Sequence, residues 1–118
     1  MPDRRLRVLI VEDEMLVAMN IEDMLLDLGH EVAGIASRLT PALSLVEESD
    51  FDVALLDVNL AGEPSFPVAA ALRERGIPFL FATGYGVRGL IDDFRACPVL
   101  QKPFAEAELG RALHALID

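Results

Sequence analysis

Four short apolar runs along this chain each hand over to a polar group: RVLIV to Glu12-Asp13, DVALL to Asp57, PFLFA to Thr83 and PVLQ to Lys102. Runs of this kind read as buried strands, since a strand covered on both faces is continuously apolar rather than alternating. Set parallel in one sheet, their C-terminal ends share an edge. Three carboxylates, a hydroxyl and an ammonium then meet there.

Between these runs the periodicity changes, and strand-like and helix-like segments alternate five times. Leu6 to Val11 predicts the first strand. Val17, Ile21, Met24, Leu25 and Leu28 then recur at helical spacing, with Asn20, Asp23 and Asp27 opposite and Gly29 placed to end the helix. Glu31 to Ala36 predicts a second strand. Thr40-Pro41 follows as an N-cap with proline at the first helical position, and Ala42, Leu45 and Val46 form the inward stripe.

Val53 to Leu56, wholly apolar, predicts a central third strand, and a helix from about Ser65 to Arg75 closes at Gly76. Ile77 to Ala82 predicts the fourth strand, with Pro78 tolerable near its start. Gly84-Tyr85-Gly86-Val87-Arg88-Gly89 is glycine-rich, so the helix after it is expected to be short or mobile. Val99 to Gln101 is the fifth strand, and Leu109, Ala112, Leu113 and Leu116 give the last helix its buried face. The expectation is one doubly wound α/β domain, (βα)5, over residues 1–118 with its core at about 6–117 and no output domain.

At 118 residues, 53% of them apolar, such a domain buries a core without disulfide or metal staples. A net charge of -10 argues against direct nucleic-acid binding, because phosphate backbones are held by clustered Lys and Arg. No run approaches a membrane span and the first residues do not form a signal peptide, so the expected location is cytoplasmic. One cysteine, Cys97, agrees with a reducing compartment.

Carboxylates converging at a strand edge must share a proton or hold a cation. A hard divalent ion, Mg²⁺, takes one or two protein carboxylates and fills its other positions with water and phosphate oxygens. Asp13 and Asp57 are the ligand candidates, with Glu12 acting through a water. A carboxylate can also accept a phosphoryl group, a transfer that asks the protein for positioning and positive charge rather than covalent help. Lys102, Thr83 and the backbone N–H groups near Asn59 and Gly84 are placed to supply these. Taken singly, each residue has an ordinary explanation as a helix start, turn, cap or surface charge. Together, in this order and at these strand ends, they point to phosphoryl chemistry.

The segments VLIVEDE, ALLDVNL, FATG and QKPF resemble those of the receiver domains of two-component response regulators, from about Leu6 to the C-terminus. The resemblance implies a flavodoxin-like receiver fold with strand order 2-1-3-4-5. It implies Asp57 as phosphoacceptor, and Asp13, Asp57 and the backbone carbonyl of Asn59 as Mg²⁺ ligands with Glu12 in support. Thr83 and Lys102 would contact the phosphoryl group, the Lys102-Pro103 peptide would be cis, and Asn59 and Tyr85 match positions that tune phosphoryl loss. Enzymatic turnover is not expected beyond self-phosphorylation and autodephosphorylation at Asp57.

Where such receivers usually carry an aromatic residue three places before the lysine, this chain has Val99. The segment PFLFATGYG instead resembles the FATGUY receivers, with Tyr85 and Gly86 departing from the final residues of that motif, and these are often served by HWE-type histidine kinases. The resemblance thus implies a histidine kinase or phosphotransfer protein as phosphodonor. It leaves the downstream partner unnamed. The switch region would comprise Gly84, Tyr85, Gly86, Gly89 and Val99, ordered as Thr83 is drawn toward Asp57.

Two other classes fit less well. A pseudo-receiver that binds a partner without phosphorylation has no need of Asp57, Thr83 and Lys102 together. An aspartate-nucleophile phosphatase wants an acid where Asn59 stands, and a dinucleotide site wants glycines where Glu12 and Asp13 stand. Away from the strand edge, His30 and His114 carry no expected role, and Phe79 and Phe81 are expected in the core. Met15, Met19 and Met24 are expected to pack the first helix rather than form a binding surface.

Overall fold

The computed structural model describes residues 5–84, 94 and 96–117. In chain order it forms β1 (Arg7–Val11), α1 (Met15–Asp27), β2 (Glu31–Ala36), α2 (Leu39–Glu48) and β3 (Val53–Asp57). A small ribbon follows, β4 (Asn59–Leu60) with β5 (Glu63–Pro64), and then α3 (Phe66–Glu74), β6 (Phe79–Thr83), β7 (Val99–Gln101) and α4 (Glu106–Ile117). The main sheet is parallel throughout and ordered β2-β1-β3-β6-β7. With the ribbon set aside, this is the expected 2-1-3-4-5 order. The strand order reverses between β1 and β3, so their C-terminal ends flank the crevice where ligands of such folds bind.

Alternation along the strands divides the core in two. Leu9 and Val11 of β1, Ala54 and Leu56 of β3 and Phe79 and Phe81 of β6 join Ala42 and Val46 of α2 and Val68, Ala69 and Leu72 of α3. Their neighbours Val8, Ile10, Val53, Leu55, Leu80 and Ala82 point the other way, onto Ala18, Ile21 and Leu25 of α1 and Leu109 and Leu113 of α4. Both faces of each central strand are covered. That is why these strands read as unbroken apolar runs.

Several boundaries differ from expectation. Thr40 is not the N-cap of α2, and Pro41 is its third residue rather than its first: Arg38 caps the helix, and its carbonyl accepts the Ala42 N–H at 3.1 Å. The first-turn N–H groups have no acceptor within a helix, so proline at the third position loses nothing. β6 begins at Phe79 rather than Ile77, and Pro78 takes part only through its carbonyl, which accepts the Ala54 N–H at 3.2 Å.

The α1 terminus is as expected, with Gly29 at φ +88° just past the helix. Met15 and Met19, however, are exposed by 58% and 50%, and only Met24 of the three packs against the core. Their i, i+4 spacing puts them on the outer face of α1, and the inner stripe runs through Ala18, Ile21 and Leu25. His30 is buried at the opposite end of the sheet, where its Nδ1 accepts the Leu6 N–H at 3.1 Å. Among the described residues no helix is long and apolar enough to cross a membrane.

Candidate functional site

The C-terminal ends of the strands carry the polar groups into an open cavity of about 500 Å³ lined by Asp13, Asp57, Asn59, Thr83, Gly84 and Lys102 together with Glu14 and Val58. Backbone pairing sets each of them. Glu12 follows β1 directly, and its N–H extends the ladder to the Ala36 carbonyl at 3.0 Å. Asp57 is the last residue of β3, paired with Ala82 of β6. Thr83 ends β6 and is buried, and its carbonyl accepts the Lys102 N–H at 2.9 Å, which fixes where the lysine leaves β7. The Lys102-Pro103 peptide bond is cis.

Side chains then close the constellation. Lys102 Nζ donates to Glu12 Oε1 at 2.6 Å and to Asp57 Oδ2 at 3.3 Å. The Asn59 N–H faces Asp57 Oδ1 at 3.4 Å, and the Glu14 N–H donates to Glu12 Oε2 at 3.2 Å. Asp13 Oδ2 accepts the Ala61 N–H at 3.0 Å, a contact from the β4–β5 ribbon that sequence reading did not foresee. Its only trace in the sequence is the Ala61-Gly62 pair between Leu60 and Glu63, a two-residue turn with glycine second.

Burial is the dominant influence on Glu12 and, with the Asp57 charge adding to it, pushes the carboxyl up to about 7 against the pull of Lys102. For Asp13, burial acts upward too. Hydrogen bonds, that from the Ala61 N–H foremost, outweigh it and hold the carboxyl below its ordinary value. Lys102 is likewise opposed by burial, yet its hydrogen bond to Glu12 and the charges of Asp57 and Glu12 hold its ammonium above the usual lysine value. The lysine therefore stays charged over any working pH.

One carboxylate oxygen from each of Glu12, Asp13 and Asp57 lies within 4.8 Å of the others. Three hard oxygen donors, those of Asp13 and Asp57 lining an open cavity and that of Glu12 buried beside them, fit a small divalent cation that keeps part of its water shell, as Mg²⁺ does. The arrangement can gather positive charge around an incoming anion beside a carboxylate nucleophile. Of the residues expected here, Glu12, Asp13, Asp57, Asn59, Thr83, Gly84 and Lys102 come together. Val99 instead sits at the start of β7, paired with Phe81 and outside the cavity lining. Tyr85, Gly86 and Gly89 lie outside the described residues.

Comparison with known proteins agrees with this fold. The sequence model of the family described as response regulator receiver domain matches residues 8–114. The solution structure of SdrG from Sphingomonas melonis Fr1 superposes with a TM-score of 0.86 at 47% identity, covering 97% of this chain and 98% of that one. Its BeF3-activated conformation gives a TM-score of 0.82 at 46% identity, covering 95% and 96%. The transcriptional regulatory protein PdtaR of Mycobacterium tuberculosis is 30% identical over 116 residues, which are 95% of this chain and 57% of PdtaR. The chain thus spans little more than half of that relative's length.

Proposed function

The chain belongs to the response regulator receiver domain family of two-component systems, and we propose that Asp57 is its phosphoacceptor, taking a phosphoryl group from a phosphohistidine donor. The observation that carries this is the placement of Asp57 at the end of β3, its carboxylate 3.3 Å from Lys102 Nζ and beside Glu12 and Asp13. An Asp57 oxygen attacks phosphorus, an O–P bond forms, the N–P bond breaks, and its electron pair returns to the donor imidazole. Lys102 and the Thr83 hydroxyl take two of the phosphoryl oxygens, with the Asn59 and Gly84 N–H groups beside them. Asp13, Asp57 and the Asn59 carbonyl, with Glu12 through a water, would hold a Mg²⁺ ion, which would supply Lewis-acid charge to the phosphoryl group.

Charge explains why Lys102 suits this role. Before transfer it donates hydrogen bonds to Glu12 and Asp57 together, and after transfer the added negative charge on Asp57 competes for it. The donor in this reading is a histidine kinase of the HWE type or a phosphotransfer protein, met in the cytoplasm. Asn59 and Tyr85 tune the lifetime of the product, and turnover is limited to self-phosphorylation and autodephosphorylation. With Val99 in place of an aromatic switch residue, the signal leaves through the glycine-rich segment that begins at Gly84 and includes Tyr85, Gly86 and Gly89. Amide exchange across that segment rises in protection on adding beryllofluoride; unchanged protection refutes this route.

Incubation with a small phosphodonor and Mg²⁺ tests the central assignment. Wild type is expected to take up one phosphoryl group, and Asp57→Ala none. If wild type stays unlabelled, the domain is a binding module that works without phosphorylation.

A further inference from the structure

The short stretch between β3 and α3 is more ordered than a connecting loop needs to be. β4 and β5 pair antiparallel, Asn59 with Pro64 and Leu60 with Glu63. The two residues joining them, Ala61 and Gly62, have φ of +54° and +93°. Positive φ at both central positions is what a type I′ hairpin turn demands, and an alanine held there is strained. Something must repay that strain. Gly62 N–H donates to Asn59 Oδ1 at 2.7 Å, Leu60 is fully buried, and the Ser65 N–H closes the base of the ribbon on the Val58 carbonyl at 2.8 Å.

The remaining hydrogen bond leaves the ribbon altogether. Ala61 N–H reaches across 48 residues of chain to Asp13 Oδ2 at 3.0 Å. We propose that the β4–β5 hairpin is a positioning element of the cation site, in which the Ala61 N–H fixes the Asp13 carboxylate at its Oδ2 and turns it to ligate Mg²⁺. The inference rests on reading Asp13 and the Asn59 carbonyl as ligands. A carboxylate has lone pairs enough to accept the N–H and bind an ion at once. Asn59 belongs to the hairpin itself, so one small turn governs how two ligands far apart in the chain stand to each other. Groups that orient a metal ligand in this way change metal affinity by about ten- to a hundredfold when lost.

Gly62 gives the cleanest handle, because a Cβ there meets nothing within 4 Å and any effect of substitution comes through the backbone. Gly62→Val, β-branched at a strongly positive φ, drives the turn out of its conformation and withdraws the Ala61 N–H. Ala61→Gly keeps both the N–H and the turn. Mg²⁺ affinity of the unphosphorylated proteins is measured by titration calorimetry, alongside circular dichroism and the rise in melting temperature that Mg²⁺ produces. Gly62→Val is expected to fold like wild type without Mg²⁺ yet bind the ion about tenfold or more weakly, while Ala61→Gly stays close to wild type. Equal affinity in wild type and a folded Gly62→Val overturns the proposal. Should that variant not fold, the milder Gly62→Ala replaces it under the same criterion. A wild type that binds no Mg²⁺ overturns the ligand assignment first, and the role of the hairpin with it.

Discussion

Glu12 is the residue whose chemistry the fold changes most. It is 2% exposed, pairs with Lys102, has an oxygen within 4.8 Å of one of Asp57, and its carboxyl stands at about 7 rather than 4.5. Between those two values the folded protein holds a proton that the unfolded chain has released, so stability from this group is complete below 4.5 and is lost as pH climbs toward 7. Urea unfolding with a chelator present is expected to give a wild-type stability that falls over that window relative to Glu12→Gln. A difference between the two proteins that does not vary with pH refutes the assignment. The raised value of Lys102 acts above the ordinary lysine range and leaves this window untouched. Read in sequence, Glu12, Asp13, Asp57, Thr83 and Lys102 were all visible, because strand ends mark themselves where apolar runs stop. The Ala61 N–H was not, since any residue but proline carries one and only a folded turn aims it.

Elements followed from the sequence wherever periodicity and punctuation agreed, as in α1 with its Gly29 terminus. They departed where a local rule had competitors. Thr40 looked like a cap, yet the first turn of α2 starts at Leu39 because the helix is placed by Ala42 and Val46 docking on the sheet rather than by its own cap. Ser65 is a related case: it stands at the N-cap of α3, but its side chain makes no capping bond, and its buried Oγ has no hydrogen-bond partner among the described residues. Replacing an N-cap serine by alanine ordinarily costs about 1 kcal/mol. Here the hydroxyl is already unpaired, so Ser65→Ala is expected to be neutral or to stabilise by up to about 1 kcal/mol in thermal unfolding. A loss of about 1 kcal/mol or more shows that the hydroxyl caps the helix in solution.

At the scale of the molecule, the two cores share one sheet, and Phe81 is the largest fully enclosed side chain among the described residues. Its ring meets Phe66 of α3 at 5.9 Å, Phe79 at 5.7 Å and Phe94 at 6.0 Å, edge to face in each case. The guanidinium of Arg73 covers Phe94 at 4.5 Å. Phe81→Ala therefore opens a cavity between β6 and α3 and is expected to cost about 3–5 kcal/mol by chemical denaturation, whereas Phe81→Leu costs distinctly less. Equal losses in the two variants show that the aromatic cluster yields to fill the gap. The sequence by itself determined the five buried parallel strands and the set of polar groups at their ends, because both are written as local patterns, apolar runs of strand length ending in charge. Only the tertiary structure decided that Lys102 would bridge Glu12 and Asp57, that burial would raise Glu12, and that the Ala61 turn would hold Asp13. Those are distances and dielectric surroundings between residues far apart in the chain, and they exist only once the strands have come together.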